Sequence, residues 1–142
     1  MKITSLKIGL ISFALIPSLY SGAVVDKSFV VITNQSVSLT SISSSQLKDI
    51  YTGKTTYWDG GQSIAITVLS DRADDALKEV SGMDASQFKT FWQRLTFSGR
   101  GQQPKKANDI AAAVSMVAST KGAIALVPAD TDLKGVKKLE IK

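Results

Sequence analysis

Short apolar runs rich in β-branched residues alternate along this chain with amphipathic stretches of helical periodicity. The clearest run is FVVIT at residues 29–33, and similar runs cover residues 64–69 and 123–127. Runs of this length and composition are typical of buried strands. Residues 136–141 carry two lysines among unevenly spaced apolar residues, a pattern typical of an edge strand. The alternation predicts an α/β fold in which helices flank a mixed or mostly parallel sheet.

Three of the predicted helices have well-defined first residues. Ser43 with Gln46, and Asp84 with Gln87, each fit a capping box, in which two side chains and two backbone N–H groups pair reciprocally. Asn108 is the predicted N-cap of the last helix. Local sequence therefore places the helix starts with some precision.

Aromatic residues follow the second capping box at helical spacing. Phe88, Phe91, Trp92 and Leu95 share one face of this helix, which predicts packing in the core, with stacking on a ligand as the alternative. Trp58 is also predicted to pack in the core, and an exposed aromatic contact at residues 57–58 is the alternative.

The N-terminal residues have the pattern of a secretory signal peptide. Lys2 and Lys7 precede an apolar stretch at residues 8–16, and small residues lead to a predicted cleavage site near Ala23. The apolar stretch is short of the roughly 20 residues of a membrane span. We therefore expect a signal peptide at residues 1–23, a single domain at residues 24–142, a periplasmic location and no stable membrane insertion after cleavage.

Composition excludes several classes of function. Without Lys2 and Lys7, the basic residues fall from 17 to 15 against 12 acidic ones, and the resulting net charge of +3 is too small for a nucleic-acid-binding surface. The chain has neither Cys nor His, so it has no disulfide, no Ser-His-Asp triad and no zinc site of ordinary ligand types. We predict no enzymatic activity, no cofactor and no metal site.

Two turns contain candidate ligand-binding residues. Ser70, Asp71 and Arg72 follow a predicted strand, and the carboxyl ends of strands are where open α/β sheets bind ligands. Ser98, Gly99 and Arg100 form the second candidate, because glycine allows close backbone approach and arginine pairs with anions. The alternative for the second loop is a turn whose glycines supply positive φ.

Three stretches resemble the phosphate-type periplasmic binding proteins of ABC transporters. They are residues 41–64 (SISSSQLKDIYTGKTTYWDGGQSI), residues 91–107 (FWQRLTFSGRGQQPKKA) and residues 117–130 (VASTKGAIALVPAD). Full members of this family are about twice as long and close two lobes around the ligand. The resemblance implies a single periplasmic-binding-protein-like lobe.

The same resemblance identifies the turn after residue 69 as the position of the family's anion site. Ser70 and Asp71 match the family pattern, whereas Leu69 stands where an anion-binding arginine is expected. Ala73, Asp74 and Asp75 replace Ser, Gly and Thr. Carboxylates at a helix N-terminus satisfy that terminus themselves, and a like-charge pair at about 4 Å costs on the order of 4 kcal/mol at an effective dielectric constant of about 20.

Two functions follow from these observations. The first is a secreted binding module for a small oxyanion such as phosphate, held weakly or with a partner, which would be an envelope protein or a transporter permease. The second is an envelope interaction or sensory accessory subunit that has lost small-ligand binding.

Overall fold

A computed structural model describes residues 28–69 and 74–142. This part of the chain contains six strands and four helices. The strands are β1 (Phe29–Thr33), β2 (Ser41–Ile42), β3 (Ala65–Leu69), β4 (Lys105–Ala107), β5 (Ala123–Pro128) and β6 (Lys137–Ile141). The helices are α1 (Ser44–Tyr51), α2 (Asp74–Ser81), α3 (Ala85–Phe97) and α4 (Ile110–Ser119). The predicted signal peptide lies outside the described residues.

The six strands form one mixed sheet in the order β2-β6-β1-β5-β3-β4. Strand β1 pairs antiparallel with both β5 and β6, while β3 pairs parallel with both β4 and β5. The predicted α/β fold with a mixed sheet is confirmed. No helix in the described part of the chain is both long and apolar enough to span a bilayer.

Helices cover both faces of the sheet. In β5, Ile124 and Leu126 face a core that includes buried residues of α1, α2 and α3, whereas Ala125 and Val127 face α4. This alternation follows from the two-residue period of a strand. Every side chain of β5 up to Val127 is therefore buried, as expected for a central strand with helices on both sides.

Both predicted capping boxes are confirmed. The Ser43 hydroxyl accepts from the Gln46 backbone N–H at 3.1 Å, and the Asp84 carboxylate accepts from the Gln87 N–H at 2.8 Å. The N-cap predicted for the last helix is wrong by one residue. Asp109 caps α4, because its carboxylate reaches the third backbone N–H of the helix, that of Ala112, at 2.7 Å.

The prediction that residues 136–141 form an edge strand is also wrong. Strand β6 lies between β1 and β2, because Ser41 and Ile42 pair with Glu140 and Ile141 along its outer side. The edge at the opposite side of the sheet is β4, a three-residue strand that the sequence pattern did not predict.

Gly122 ties the start of β5 to strand β3 and to the two loops that carry Ser36 and Trp58. Its carbonyl oxygen accepts from the Trp58 indole Nε1–H at 2.9 Å and from the Ala65 N–H at 3.2 Å, and its N–H donates to the Ser36 hydroxyl at 3.1 Å. Its φ is 75°, and a Cβ here would overlap the carbonyl oxygen of Ser63. Only glycine fits this position without moving the backbone.

We expect Gly122→Ala to destabilise the protein by about 3 kcal/mol or more, because left-handed backbone strain adds to the clash with Ser63. Gly82→Ala is the matched control, since Gly82 has a φ of 76° and open space around it. Gly82→Ala measures the cost of left-handed backbone conformation alone, which is about 1–2 kcal/mol. Urea denaturation measures both variants, and equal losses of stability would contradict the role of the close contact.

Candidate functional site

A pocket of about 350 Å³ lies beside the first residues of β3. One wall is the loop between α1 and β3, and the other is the loop that follows α3. Its lining residues are Ile50, Thr55, Thr56, Tyr57, Ser63, Ile64, Ile66, Trp92, Gly99, Arg100, Gly101 and Gln102. We call this cavity the Arg100 pocket.

The loop after α3 is a helix C-cap. The Gly99 N–H donates to the Thr96 carbonyl at 3.1 Å and the Arg100 N–H to the Leu95 carbonyl at 3.0 Å, with Gly99 at a φ of 75°. These two bonds define a Schellman motif, which explains the glycine. The Ser98 hydroxyl also donates to the Leu95 carbonyl, at 2.9 Å. The alternative interpretation of this loop, a turn with glycine at positive φ, is therefore confirmed for Gly99.

Helix capping changes what this loop can offer to a ligand. The backbone N–H groups of Ser98, Gly99 and Arg100 all donate to carbonyls of α3, so they are already satisfied. The carboxyl end of a helix also carries a partial negative charge, which disfavours a nearby anion. Of the three predicted residues, Arg100 contributes a positive group, on an exposed side chain for which residues 28–69 and 74–142 supply no ion-pair partner.

The opposite wall supplies hydroxyl groups. Thr55, Thr56 and Tyr57 lie in a loop held by backbone bonds, including Ile64 N–H to the Thr56 carbonyl at 2.9 Å and Trp58 N–H to the Gln62 carbonyl at 2.8 Å. Trp58 is buried and Tyr57 is 61% exposed, so core packing is confirmed for the tryptophan alone. The pocket thus combines one cation with several neutral donors, and none of its described lining residues is a carboxylate.

The other predicted turn follows β3 in the sequence. Ser70, Asp71 and Arg72 lie outside the described residues. The chain leaves β3 at Leu69, about 13 Å along the strand from Ala65, which lies at the pocket end. Helix α2 begins at Asp74, and Asp75 follows in its first turn, as the sequence predicts.

Trp92 forms the inner wall of the Arg100 pocket. Its indole Nε1–H donates to the Tyr51 carbonyl at 3.1 Å, and its ring contacts those of Phe88 and Phe91 at centroid distances of 6.1 and 6.3 Å. Core packing is confirmed for the aromatic stripe, since Phe88 and Trp92 are each 3% exposed. The remaining two residues, Phe91 and Leu95, are partly buried against the same core.

The chain belongs to a periplasmic-binding-protein-like family. A family model described as a PBP superfamily domain matches residues 23–140, which is nearly the whole chain. A search of curated protein sequences found no match.

Solved structures of phosphate receptors share the fold. A Clostridium perfringens protein described as a phosphate ABC transporter substrate-binding protein, with bound phosphate, matches at a TM-score of 0.61 and 20% identity. An ABC-type phosphate transport receptor from Vibrio cholerae matches at 0.56 and 18%, and PstS from Borrelia burgdorferi at 0.59 and 13%. The alignments cover 80–81% of this chain but 44–47% of those chains. This chain therefore spans less than half of their length.

Tyr51, the last residue of α1, is completely buried, and its hydroxyl has no hydrogen-bond partner within the described part of the molecule. Burial disfavours the charged phenolate and so raises the pKa of Tyr51 above the ordinary value of 10.0. The unfolded chain deprotonates first, so this residue contributes stability below pH 10 that is lost as the pH rises further.

We expect Tyr51→Phe to leave stability at pH 7 unchanged or up to about 1 kcal/mol higher, because it removes an unsatisfied buried hydroxyl. The variant should also lose less stability than the wild type between pH 9 and pH 11. Tyr57→Phe is the control, since Tyr57 is exposed and should leave the alkaline loss unchanged. Urea midpoints across this pH range test both statements, and an alkaline loss in Tyr51→Phe equal to that of the wild type would refute the assignment.

Proposed function

We propose that this chain is a secreted periplasmic binding module that holds a small oxyanion such as phosphate, weakly on its own or more tightly with a partner. The observation that carries the proposal is the Arg100 pocket, a polar cavity in a lobe whose fold matches that of phosphate receptors. Neither a cofactor nor a catalytic step is part of the proposal.

Weak binding follows from the composition of the pocket. One exposed guanidinium is available to an anion, and the N–H groups of Ser98, Gly99 and Arg100 already donate to carbonyls of α3. Hydroxyls of Thr55, Thr56 and Ser63 add neutral hydrogen bonds, each of which contributes only about 0.5–1.5 kcal/mol net. The turn at Ser70, Asp71 and Arg72 remains a second proposed contact, with Asp74 and Asp75 opposing an anion there.

The proposal of a partner comes from the open pocket on a single lobe. This chain aligns with only 44% and 46% of the length of the first two matched receptors. A small-ligand site normally buries most of its ligand, which an open pocket on one lobe does not do. We propose that an envelope protein or a transporter permease completes the site.

Isothermal titration of residues 24–142 with inorganic phosphate and with sulfate tests the small-anion proposal. We expect millimolar binding that weakens about tenfold in Arg100→Ala, because a charged hydrogen bond contributes about 1.5–3 kcal/mol. Arg94→Ala is the charge-matched control, since Arg94 is an exposed residue of α3 that does not line the pocket. If Arg72→Ala weakened the affinity and Arg100→Ala did not, the site would lie at the turn after β3 instead. No heat from the wild type at millimolar ligand would refute anion binding.

A second function, an envelope interaction or sensory subunit, is favoured by two exposed aromatic residues. Phe97 is 98% exposed and Tyr57 is 61% exposed, and both lie at the end of the molecule that carries Arg100. Aromatic residues and arginine dominate the energetics of protein interfaces.

Cross-linking in envelope extract, followed by affinity capture, tests this second function. We expect the wild type to retain a specific protein and Phe97→Ser to lose most of it, because this ring is the most exposed large apolar side chain among the described residues. Phe97→Tyr keeps the ring and serves as the control. Recovery of background proteins alone by the wild type would count against an interaction role.

A further inference from the structure

A second cavity, separate from the Arg100 pocket, runs between α3 and the edge strand β4. Its volume is about 370 Å³, within the usual range for small-molecule sites. It is lined by Val68, Leu69, Ala85, Ser86, Phe88, Lys89, Trp92, Gln103, Pro104 and Lys106. We call this cavity the α3–β4 groove.

The floor of the groove is apolar and well supported. Phe88 and Trp92 are buried members of the main core, and Val68 packs against the same core. Pro104 continues the apolar surface toward β4. These side chains present flat, rigid surface to the groove, which suits an aromatic or short alkyl group.

The rim of the groove is cationic. Lys89 lies on α3 and Lys106 lies on β4, so the two ammonium groups come from opposite walls. Ion pairs within residues 28–69 and 74–142 link Lys54 to Asp49, Lys134 to Asp132 and Lys138 to Glu140, and none involves the two groove lysines. Both side chains are exposed.

No carboxylate of the described chain lines the groove to neutralise these lysines. The nearest acidic residue in sequence is Asp84, whose carboxylate accepts the Gln87 N–H of the capping box at 2.8 Å. Ser86 and Gln103 add neutral polar groups at the rim. An occupant is therefore expected to combine an apolar body with a negative group.

We propose that the α3–β4 groove binds a small organic anion, an aromatic or short alkyl carboxylate or sulfonate. The apolar floor takes the body of this ligand, and Lys89 and Lys106 pair with its anionic group. An inorganic oxyanion lacks the apolar part and gains nothing from the floor. This inference concerns a different ligand class and different charged residues from the oxyanion proposed for the Arg100 pocket, although Trp92 lines both cavities, and it stands independently of that proposal.

The strand β4 supplies a matched control for the charge argument. Side chains alternate along a strand, so Lys105 and Lys106 point to opposite faces of the sheet. Ala107, which shares a face with Lys105, packs in the core on the α4 side, whereas Lys106 lines the groove. Substituting either lysine changes the net charge equally, but only Lys106 is placed to contact a ligand in the groove.

The test uses two probes that differ by one charged group, 8-anilinonaphthalene-1-sulfonate and its uncharged analogue N-phenyl-1-naphthylamine. Fluorescence titration should show the sulfonate binding to the wild type and binding at least fivefold more weakly to the double variant Lys89→Gln/Lys106→Gln. Binding of the uncharged analogue should stay within twofold in the double variant. Lys105→Gln and Arg100→Ala should leave the affinity for the sulfonate unchanged, and 10 mM phosphate should not displace it.

The position of the probe is read from the two tryptophans of the chain. Trp92 lines both cavities, whereas the Trp58 indole donates to the Gly122 carbonyl and lines neither, so the variants Lys89→Gln/Lys106→Gln and Arg100→Ala decide which cavity a Trp92 shift reports. In a nitrogen–proton NMR spectrum, the sulfonate should shift the Trp92 indole resonance and leave that of Trp58 in place. Circular dichroism confirms that each variant is folded.

Three results would overturn the proposal. They are no binding of the sulfonate to the folded wild type, equal affinity in the double variant, or an equal loss of affinity in Lys105→Gln. A failure of phosphate titration would refute the oxyanion pocket alone, since it involves neither Lys89 nor Lys106.

Discussion

The carbonyl oxygen of Gly122 is the point at which the first residues of the central strands meet. It accepts from the Trp58 indole and from the backbone of β3, while the Gly122 N–H binds Ser36 in the segment after β1. Nearby, the Asn34 side chain donates to the carbonyls of Val117 and Ala118 at 2.8 and 2.9 Å and so ties β1 to the last turn of α4. Buried polar groups that are fully paired in this way fix one arrangement of the strands.

The same junction positions the Arg100 pocket. Trp58 anchors the loop that carries Thr55, Thr56 and Tyr57, and a second buried tryptophan, Trp92, forms the inner wall. Each indole N–H donates to a backbone carbonyl far away in sequence. The two buried tryptophans therefore hold the walls of the pocket in place, while the polar groups of the pocket lie at its exposed surface.

Local patterns in the sequence predicted most of the fold. The strand at Phe29–Thr33 and the helices that follow Ser43 and Asp84 depend on burial and capping within a few residues, and they were correctly placed. Strand β4 was not predicted, because three residues with two lysines carry no apolar pattern, and only pairing with β3 makes them a strand. The two-residue strand β2 was not predicted either, because it too is a strand only through its pairing, with β6. Without β2, the sequence placed β6 at the edge of the sheet.

Less of the two candidate sites than of the fold could be predicted from the sequence. Glycine at position 99 indicated a turn with positive φ, but the Schellman bonds to Leu95 and Thr96 depend on where α3 ends. Arg100 was predicted as a candidate contact and lines the pocket, whereas Thr55, Thr56 and Ser63 join it only through tertiary structure. The α3–β4 groove has no local signal, since Lys89 and Lys106 come from separate elements.

The outer edge of β4 has a consequence for self-assembly. Exposed sheet edges attract strands from other molecules, and short edges rich in lysine suppress this attraction. A second copy aligned along β4 would bring like-charged lysines of the two copies close together over only three residues of backbone. Dimers formed by pairing two β4 edges are therefore disfavoured.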